Sequence, residues 1–260
     1  MRNDIQLLEL LLKDQSLSLP NENTYISWAT DDYCVTDEMD DNSPFAFNAQ
    51  ITPELISSHP DLIQPRIKKQ PSMQTSRSKS RAEVFTPAWI CNAQNNLVDE
   101  QWFGRKDVFN TEYINEEGEH RWLTSKPPIV FPAKRSWMSY VRARRMEITC
   151  GEGPYLISRY DATTGRLIPI SERIGMLDRK FRIINENTPS EPTKANKRQW
   201  IRKAYQALQS IYGFDSQGDN VFLTRESLFL SFCEYYTERW HRHPHRDAVL
   251  KAAEIISWNI

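Results

Sequence analysis

The pattern of apolar and polar positions predicts a short helix at the start of the chain. Ile5, Leu8 and Leu12 recur at helical spacing between charged residues, so they form the apolar face of a helix within residues 1–14. Charged residues interrupt this run, and no small-residue cleavage site follows it. The segment therefore does not resemble a secretory signal, and we expect a cytoplasmic protein.

The last third of the chain changes between helical and strand patterns. Apolar residues at helical spacing predict helices over 199–209, 221–240 and 247–258, and the short apolar segment 210–214 predicts a strand that ends at Asp215. Helix, strand and helix in succession are typical of an α/β fold, in which parallel strands lie between layers of helices.

The rest of the chain gives a less regular pattern. Residues 105–137 are broken by prolines and predict strands and loops. Residues 162–198 predict a long insertion, with strands or a hairpin followed by an exposed loop. We expect order to begin near Glu83. This boundary divides the chain into residues 1–80, a helix followed by a largely irregular polar and charged extension, and residues 81–260, an α/β domain.

Charge is distributed in blocks along the extension. Residues 29–44 are acidic, with Asp31, Asp32, Asp37, Glu38, Asp40 and Asp41, and residues 64–81 are basic and rich in serine and glutamine. The basic block predicts either a flexible, solvated linker or a segment that contacts phosphates along a nucleic-acid strand. The formal net charge of −1 excludes the overall basicity of many nucleic-acid binders, so any DNA contact must be local.

Composition excludes several other classes of protein. The mean hydropathy of −0.64 and the absence of a run of roughly 20 apolar residues argue against a membrane span. Cys34, Cys91, Cys150 and Cys233 lie far apart and have no local histidine partner at finger spacing. They predict reduced thiols and neither a zinc site nor a disulfide framework.

Two glycines mark a point where backbone has to approach another group closely. The chain has only 8 glycines, yet Gly151 and Gly153 lie one residue apart after an apolar segment. A Gly-x-Gly turn after a strand allows a ligand to rest on the amides of the next helix, and Pro154 suits the first position of that helix. The alternative is a tight turn with no ligand.

Asp215 lies at the predicted end of a strand. A carboxylate in this position accepts hydrogen bonds from ribose hydroxyls in nucleotide-binding folds, and a helix cap is the alternative role for a single aspartate. A nicotinamide dehydrogenase is a weak hypothesis, because Leu156 stands where the dinucleotide fingerprint has its third glycine.

Three segments together resemble a known family. Phe85-Thr86-Pro87, the glycine segment 150–156 and Tyr212-Gly213-Phe214-Asp215 follow one another in the order found in DNA adenine-N6 methyltransferases of restriction-modification systems. From about Arg81 to its end, the chain resembles the amino-terminal half of their modification (M) subunits. The resemblance implies an incomplete Rossmann-like S-adenosylmethionine-dependent methyltransferase sheet with helices on both faces.

The resemblance also implies a cofactor pocket. Glu147 matches the acidic position of the family's glycine motif, the glycines adjoin the methionine moiety, and Asp215 holds the ribose hydroxyls. The implied S-adenosylmethionine pocket consists of Phe85, Thr86, Pro87, Glu147, Cys150, Gly151, Gly153, Tyr155, Leu156 and Asp215. Ile148 and Glu152 depart from the proline and serine that are usual in the motif.

The catalytic loop of the family is absent from the sequence. These enzymes hold the flipped adenine with an Asn-Pro-Pro-Tyr type loop, and no such tetrapeptide occurs here. Lys126-Pro127-Pro128-Ile129 is the nearest segment, but its residue types and its position before the glycine motif do not match. We therefore expect no catalytic residues in this chain, which would be inactive alone, and a second chain that carries the loop and target recognition.

DNA is the other partner that the sequence suggests. Local basic residues offer phosphate contacts, although solvated surface charge is an equally good interpretation; they are Lys68, Lys69, Arg142, Arg144 and Arg145. The alternative function is a non-catalytic DNA- or protein-interaction subunit on a degenerate methyltransferase fold.

Two further clusters favour structural roles. The histidines at 241, 243 and 245 surround Pro244 and predict a surface loop in preference to a metal site. Tyr235, Tyr236 and Trp240 at helical spacing predict core packing in preference to base stacking.

Overall fold

The structure, a computed structural model, describes residues 1–19, 22–34, 43–81 and 84–260. Four residues of the predicted acidic block, Asp37, Glu38, Asp40 and Asp41, lie outside the described residues, as does Glu83. The statements below therefore concern the described part of the chain.

Helices account for most of the regular structure. In chain order they are α1 (Ile5–Leu12), α2 (Pro53–Ser58), α3 (Pro71–Arg81), α4 (Ala88–Phe103), α5 (Trp137–Val141), α6 (Met176–Asn187), α7 (Lys194–Leu208), α8 (Gly218–Trp240) and α9 (Arg246–Asn259). Single 3₁₀ turns occur at Arg66–Lys68 and Ile170–Glu172. The strands are β1 (Asn110–Ile114), β2 (His120–Thr124), β3 (Arg145–Ile148) and β4 (Ile211–Phe214).

The strands form two small sheets in the described residues. β1 and β2 are an antiparallel hairpin, and β3 and β4 are a parallel pair in which Arg145 faces Ile211 and Ile148 faces Phe214. Parallel neighbours need a long crossover connection, and α6 and α7 supply it here. The predicted α/β class is confirmed at this level.

One face of the β3–β4 sheet is apolar and exposed. Met146 and Ile148 on β3 pair in register with Tyr212 and Phe214 on β4, so all four side chains lie on the same face. Met146, Ile148 and Phe214 are 55%, 67% and 58% exposed. Parallel sheets are normally covered on both faces, and this face, which we call the open face, has no such cover in the described residues.

The secondary structure predicted for the insertion at 162–198 is wrong. Residues 176–187, expected as strands or a hairpin, form α6, and the expected exposed loop runs into α7, which begins at residue 194. Leu177, Phe181 and Ile184 are all fully buried and recur at helical spacing. The segment is therefore the crossover that allows β3 and β4 to lie parallel.

The expected irregular extension contains helices and contributes to the core. The predicted first helix is confirmed as α1, where Asp4 caps the helix by accepting a hydrogen bond from Leu7 N at 3.2 Å. Leu8, Trp28 and Ile51 are completely buried in the same hydrophobic cluster as residues of α6 to α9. Helix α1 packs against α9, at the other end of the chain.

A buried ion network holds the basic segment against α8. Arg77 is fully buried, with Nη1 2.9 Å from an Asp32 oxygen and 3.0 Å from an Asp219 oxygen. Lys69 Nζ lies 2.7 Å from the same Asp219 carboxylate. Burial raises the pKa of Asp219, but the charges of Lys69 and Arg77 outweigh it and leave this pKa below its usual value. The segment is therefore held to the core through Lys69 and Arg77, and it forms a 3₁₀ turn and α3 in place of the expected flexible linker.

The start of α8 requires a glycine. Gly218 N donates to Trp28 O at 2.9 Å, and a Cβ at Gly218 would lie 2.0 Å from the carbonyl oxygen of Ser27. No side chain fits in that space. The segment around Trp28 is thus pressed directly against the helix that follows Asp215.

Other predictions for the second half are confirmed. The helices expected over 199–209, 221–240 and 247–258 are present as α7, α8 and α9, and residues 105–137 contain the β1–β2 hairpin. Tyr235, Tyr236 and Trp240 are buried. The histidines at 241, 243 and 245 are exposed, and His245 caps α9.

Candidate functional site

The glycine turn and Asp215 meet at one edge of the parallel sheet. The turn follows β3, and Asp215 follows β4, so both lie at the carboxyl ends of neighbouring strands. Gly151 N donates to Asp215 Oδ2 at 2.8 Å, and Gln217 N donates to Asp215 Oδ1 at 2.9 Å. Asp215 therefore stabilises both the glycine turn and the entry to α8. A carboxylate has about four acceptor positions, so half-buried Asp215 keeps capacity for a ligand.

Positive φ angles shape the glycine turn. Gly151 and Gly153 have φ angles of 54° and 70°, and Thr149 also has a positive φ of 52°. A Cβ at Gly153 would lie 2.9 Å from the Thr224 side chain on α8, whose hydroxyl donates to Gly151 O at 2.7 Å. Only glycine combines this backbone conformation with so close an approach.

The helix expected directly after the turn is absent from the described residues. Residues 151–160 form turns and a bridge, Pro154 lies in no helix, and the next helical turn is Ile170–Glu172. The glycine turn itself therefore offers no N-terminus of a following helix to an anionic group. Helix α8 begins beside Asp215, whose carboxylate already accepts from Gln217 N.

Glu152, the charged residue between the glycines, is engaged elsewhere. Its side chain is buried, with Oε1 accepting from Arg66 N at 2.6 Å and Oε2 accepting from the Tyr160 hydroxyl. Burial and the Glu152 charge raise the pKa of Tyr160, so the phenol remains a donor. Glu152 thus ties the glycine turn to residues 66–68 in the amino-terminal part of the chain.

The Phe-Thr-Pro segment lies against the glycine turn. The Phe85 ring is 3.9 Å from the position of a Cβ on Gly151, and the Arg66 guanidinium lies 5.0 Å from the centre of that ring. Thr86 hydrogen-bonds with the Tyr155 side chain. Helix α4 begins at Ala88 after Pro87, and Asp161 caps it by accepting from Ala88 N at 2.8 Å.

The carboxyl group of Glu147 has a pKa far above its ordinary value. Its Oε2 accepts from Leu156 N at 3.2 Å, and burial, with a smaller contribution from Asp215, raises the pKa of Glu147 to about 8. No cation contributes to this pKa. Burial also raises the pKa of the Cys91 thiol to about 12 and that of the Cys150 thiol further. The site therefore disfavours added negative charge and would be stabilised by a cation.

A cavity of about 250 Å³ adjoins Glu147. Its lining combines a carboxylate, amides and apolar side chains: Gln94, Asn95, Val98, Met146, Glu147, Tyr155 and Met176. Asn95 is buried, and its amide nitrogen donates to Tyr155 O and Ile174 O at 3.0 and 3.1 Å. These two carbonyls fix the orientation of the amide, which leaves Asn95 Oδ1 buried without a hydrogen-bond partner.

Sequence reasoning missed Asn95. A single asparagine inside a helix has no motif, and only the packing of α4 against residues 155 and 174 brings it beside Glu147. In contrast, the contacts described above bring the predicted pocket residues together around one turn and one strand edge. They are residues 85–87, 147, 150, 151, 153, 155, 156 and 215.

Two of the five predicted DNA contacts are engaged within the chain. Lys69 is largely buried in its ion pair with Asp219, which corrects its assignment as an exposed phosphate contact. Arg145 packs over Tyr140, 3.8 Å from an Asp99 oxygen. Lys68, Arg142 and Arg144 are exposed.

Comparisons with protein-family models, with curated proteins and with solved structures found no match. Among the described residues, no helix is both long and apolar enough to cross a membrane. Within the same residues, no three His, Cys, Asp or Glu side chains are grouped so that they could hold a metal ion.

Proposed function

We propose that the chain binds S-adenosylmethionine at this sheet edge and serves as a methyltransferase-like M subunit of a DNA restriction-modification system in the cytoplasm. The proposal rests on one observation: the sheet edge has hydrogen-bond acceptors but no cation of the chain beside Glu147. These acceptors are Glu147, Asp215 and Asn95 Oδ1, which has no partner. S-adenosylmethionine carries a sulfonium and an ammonium, and it would supply an electrophilic methyl group when bound.

The residues present fit this cofactor. Asn95 and Glu147 would accept hydrogen bonds from the ammonium, and the remaining acceptor positions of Asp215 would hold ribose hydroxyls. Phe85 and Tyr155 supply aromatic surface beside the glycine turn. The cavity of about 250 Å³ is slightly smaller than the roughly 300–1,000 Å³ of typical ligand pockets, so it accommodates the methionine part and not the whole cofactor.

The open face supports the proposal of a second chain. Met146, Ile148 and Phe214 present apolar surface beside the site, and a parallel sheet gains stability when such a face is covered. We propose that the partner that carries the catalytic loop and target recognition covers this face. The chain alone is then inactive, because methyl transfer requires the acceptor amine to be held in line with the sulfonium.

Isothermal titration calorimetry with S-adenosylmethionine tests cofactor binding. We expect the parent to bind, and Asp215→Asn and Asn95→Ala each to weaken binding by about 1–3 kcal/mol, because each loses a hydrogen-bond acceptor. Glu116→Gln, at the exposed tip of the β1–β2 hairpin, is the matched control and should bind like the parent. No heat at about 1 mM cofactor, which corresponds to roughly −4 kcal/mol, would refute the proposal.

The pH dependence gives an independent test of the recognition of a cation. Glu147 has a pKa of about 8, so its charge, and with it the affinity for S-adenosylmethionine, should increase as the pH rises from about 6 to 7.5, below the pH of about 8 at which an α-ammonium ordinarily loses its proton. The variant Glu147→Gln should lose this dependence. Circular dichroism at each pH controls for unfolding.

A non-catalytic interaction subunit is the second candidate function. It is favoured by the structural hydrogen bonds already made by Asp215 and Glu152 and by the absent catalytic loop. Under this hypothesis, DNA binding is sensitive to salt and indifferent to S-adenosylmethionine. Electrophoretic mobility shift assays with and without the cofactor distinguish the two functions.

A further inference from the structure

A second cavity, of about 810 Å³, lies between the β1–β2 hairpin, the 3₁₀ turn Ile170–Glu172 and helix α6. Its volume falls within the roughly 300–1,000 Å³ that encloses a small organic ligand. None of its lining residues belongs to the proposed cofactor site. The cavity is therefore separate from the proposed cofactor site, and any ligand that it binds is bound independently of S-adenosylmethionine.

The hairpin supplies aromatic and aliphatic walls. Trp122 lines the cavity with Ile170. Tyr113 and Leu123 reach the cavity edge from the opposite face of the hairpin, because Trp122 pairs with Glu112 and Tyr113 with Arg121. The Trp122 indole N–H donates to Glu172 O at 2.8 Å, which fixes the ring. A preformed surface of this kind suits a planar, apolar ring system, because aromatic rings stack on one another at little entropic cost.

The arginines deeper in the cavity are structural. Arg182 donates to Glu186 Oε1 at 2.8 Å and to the carbonyls of Phe109 and Ser125 at 3.1 and 2.6 Å. Arg179 is paired with Asp99 at 2.6 Å. These groups form a polar, positively charged wall whose hydrogen bonds are largely used within the chain.

Two exposed cations of the lining remain available for a ligand. Arg166 and Lys126 line the cavity, and neither has a carboxylate within ion-pair distance among the residues that the structure describes. Arg166 follows a rigid turn in which Asp161 Oδ1 accepts from the backbone N–H groups of Thr163 and Thr164, both at 2.9 Å. The guanidinium is thus attached to a fixed backbone at the rim.

We propose that this cavity binds a nucleotide, with the base against Trp122 and the phosphate near Arg166 and Lys126. Arginine is the side chain best suited to phosphate because it donates two parallel hydrogen bonds. The carboxylate of Glu172 also lines the rim and opposes a phosphate, so its removal should strengthen binding.

Titration of the full chain with dAMP, adenosine and inorganic phosphate tests the assignment. We expect dAMP to bind at least tenfold more tightly than adenosine or phosphate. Arg166→Glu and Trp122→Leu should each weaken dAMP binding at least fivefold, and Glu172→Gln should strengthen it. Arg202→Glu changes an exposed arginine outside the cavity and should bind like the parent.

The outcome decides the ligand and its source. A single-stranded oligo(dA) that competes with dAMP, and loses affinity in Arg166→Glu, would assign the site to a nucleotide within a strand; dAMP binding without such competition would assign it to the free nucleotide. Absence of dAMP binding at millimolar concentration, equal binding of phosphate and dAMP, or unchanged binding in Arg166→Glu and Trp122→Leu would overturn the proposal. The variants lie outside the cofactor site, so failure here leaves S-adenosylmethionine binding unaffected.

Discussion

Replacing Glu147 with glutamine should stabilise the protein above neutral pH. The carboxyl group is buried beside Asp215 with no cation nearby, which raises its pKa to about 8 from an ordinary 4.5. Between these two pH values the folded state keeps a proton that the unfolded state has released. The free energy of unfolding that this group contributes therefore falls as the pH rises through this interval and levels off above about 8.

The size of the effect follows from the difference in pKa. A difference of about 3.5 at 1.36 kcal/mol per pKa unit gives about 5 kcal/mol as an upper bound at pH 9. Glu147 is half-buried and lines a cavity, so solvent reduces the cost of its charge. We expect Glu147→Gln to be about 2–4 kcal/mol more stable than the parent at pH 9. The amide oxygen retains the hydrogen bond from Leu156 N.

Urea unfolding at pH 5, 7 and 9, followed by circular dichroism, measures this difference. Parent and Glu147→Gln should differ by less than about 1 kcal/mol at pH 5, where both side chains are neutral in the folded state. The stability difference should then grow with pH while the m value stays constant. Glu116→Gln, an exposed change, should show no such trend. Equal stabilities of parent and Glu147→Gln at pH 9 would refute the reasoning.

Three further substitutions have defined outcomes. Arg77→Met leaves buried Asp219 short of one cation and should destabilise the protein by about 3–5 kcal/mol in urea unfolding; a loss below about 1 kcal/mol would contradict the buried network. Glu152→Ser removes the acceptor for Arg66 N and should cost about 1–3 kcal/mol without strengthening S-adenosylmethionine binding by calorimetry; tighter binding would mean that Glu152 blocks the pocket. Ile148→Asp changes a side chain that is 67% exposed, so its unfolding free energy should change by less than about 1 kcal/mol; a larger loss would show that the open face is covered within the chain.

The sequence was sufficient where the signal is local. Apolar spacing predicted α1 and the helices of the last third, since a helical face of apolar residues is recognisable within a short window. The two glycines and Asp215 predicted a close turn beside a strand end. The hydrogen bond from Gly151 N to Asp215 shows that these segments adjoin.

Sequence reasoning failed for α6 because two signals compete there. The apolar run around Ile183 and Ile184 resembles a strand, and the charged residues Arg179 and Lys180 resemble a solvent-facing surface. In the structure both charged side chains are buried, Arg179 against Asp99 and Lys180 against Ala143 O and Ser210. Their partners lie far away in the sequence, so no local pattern distinguishes them from surface charges.

Only the tertiary structure decided which charges of the amino-terminal region are structural and how the candidate site is lined. Arg77 and Asp219 are separated by 142 residues, and their pairing converts a segment with linker-like composition into part of the core. The same holds for Asn95, which lines the cavity beside Glu147 and has a buried oxygen without a partner. Periodicity along the chain determines which segments become helices or strands, whereas the burial of a polar group depends on a partner that folding brings from elsewhere.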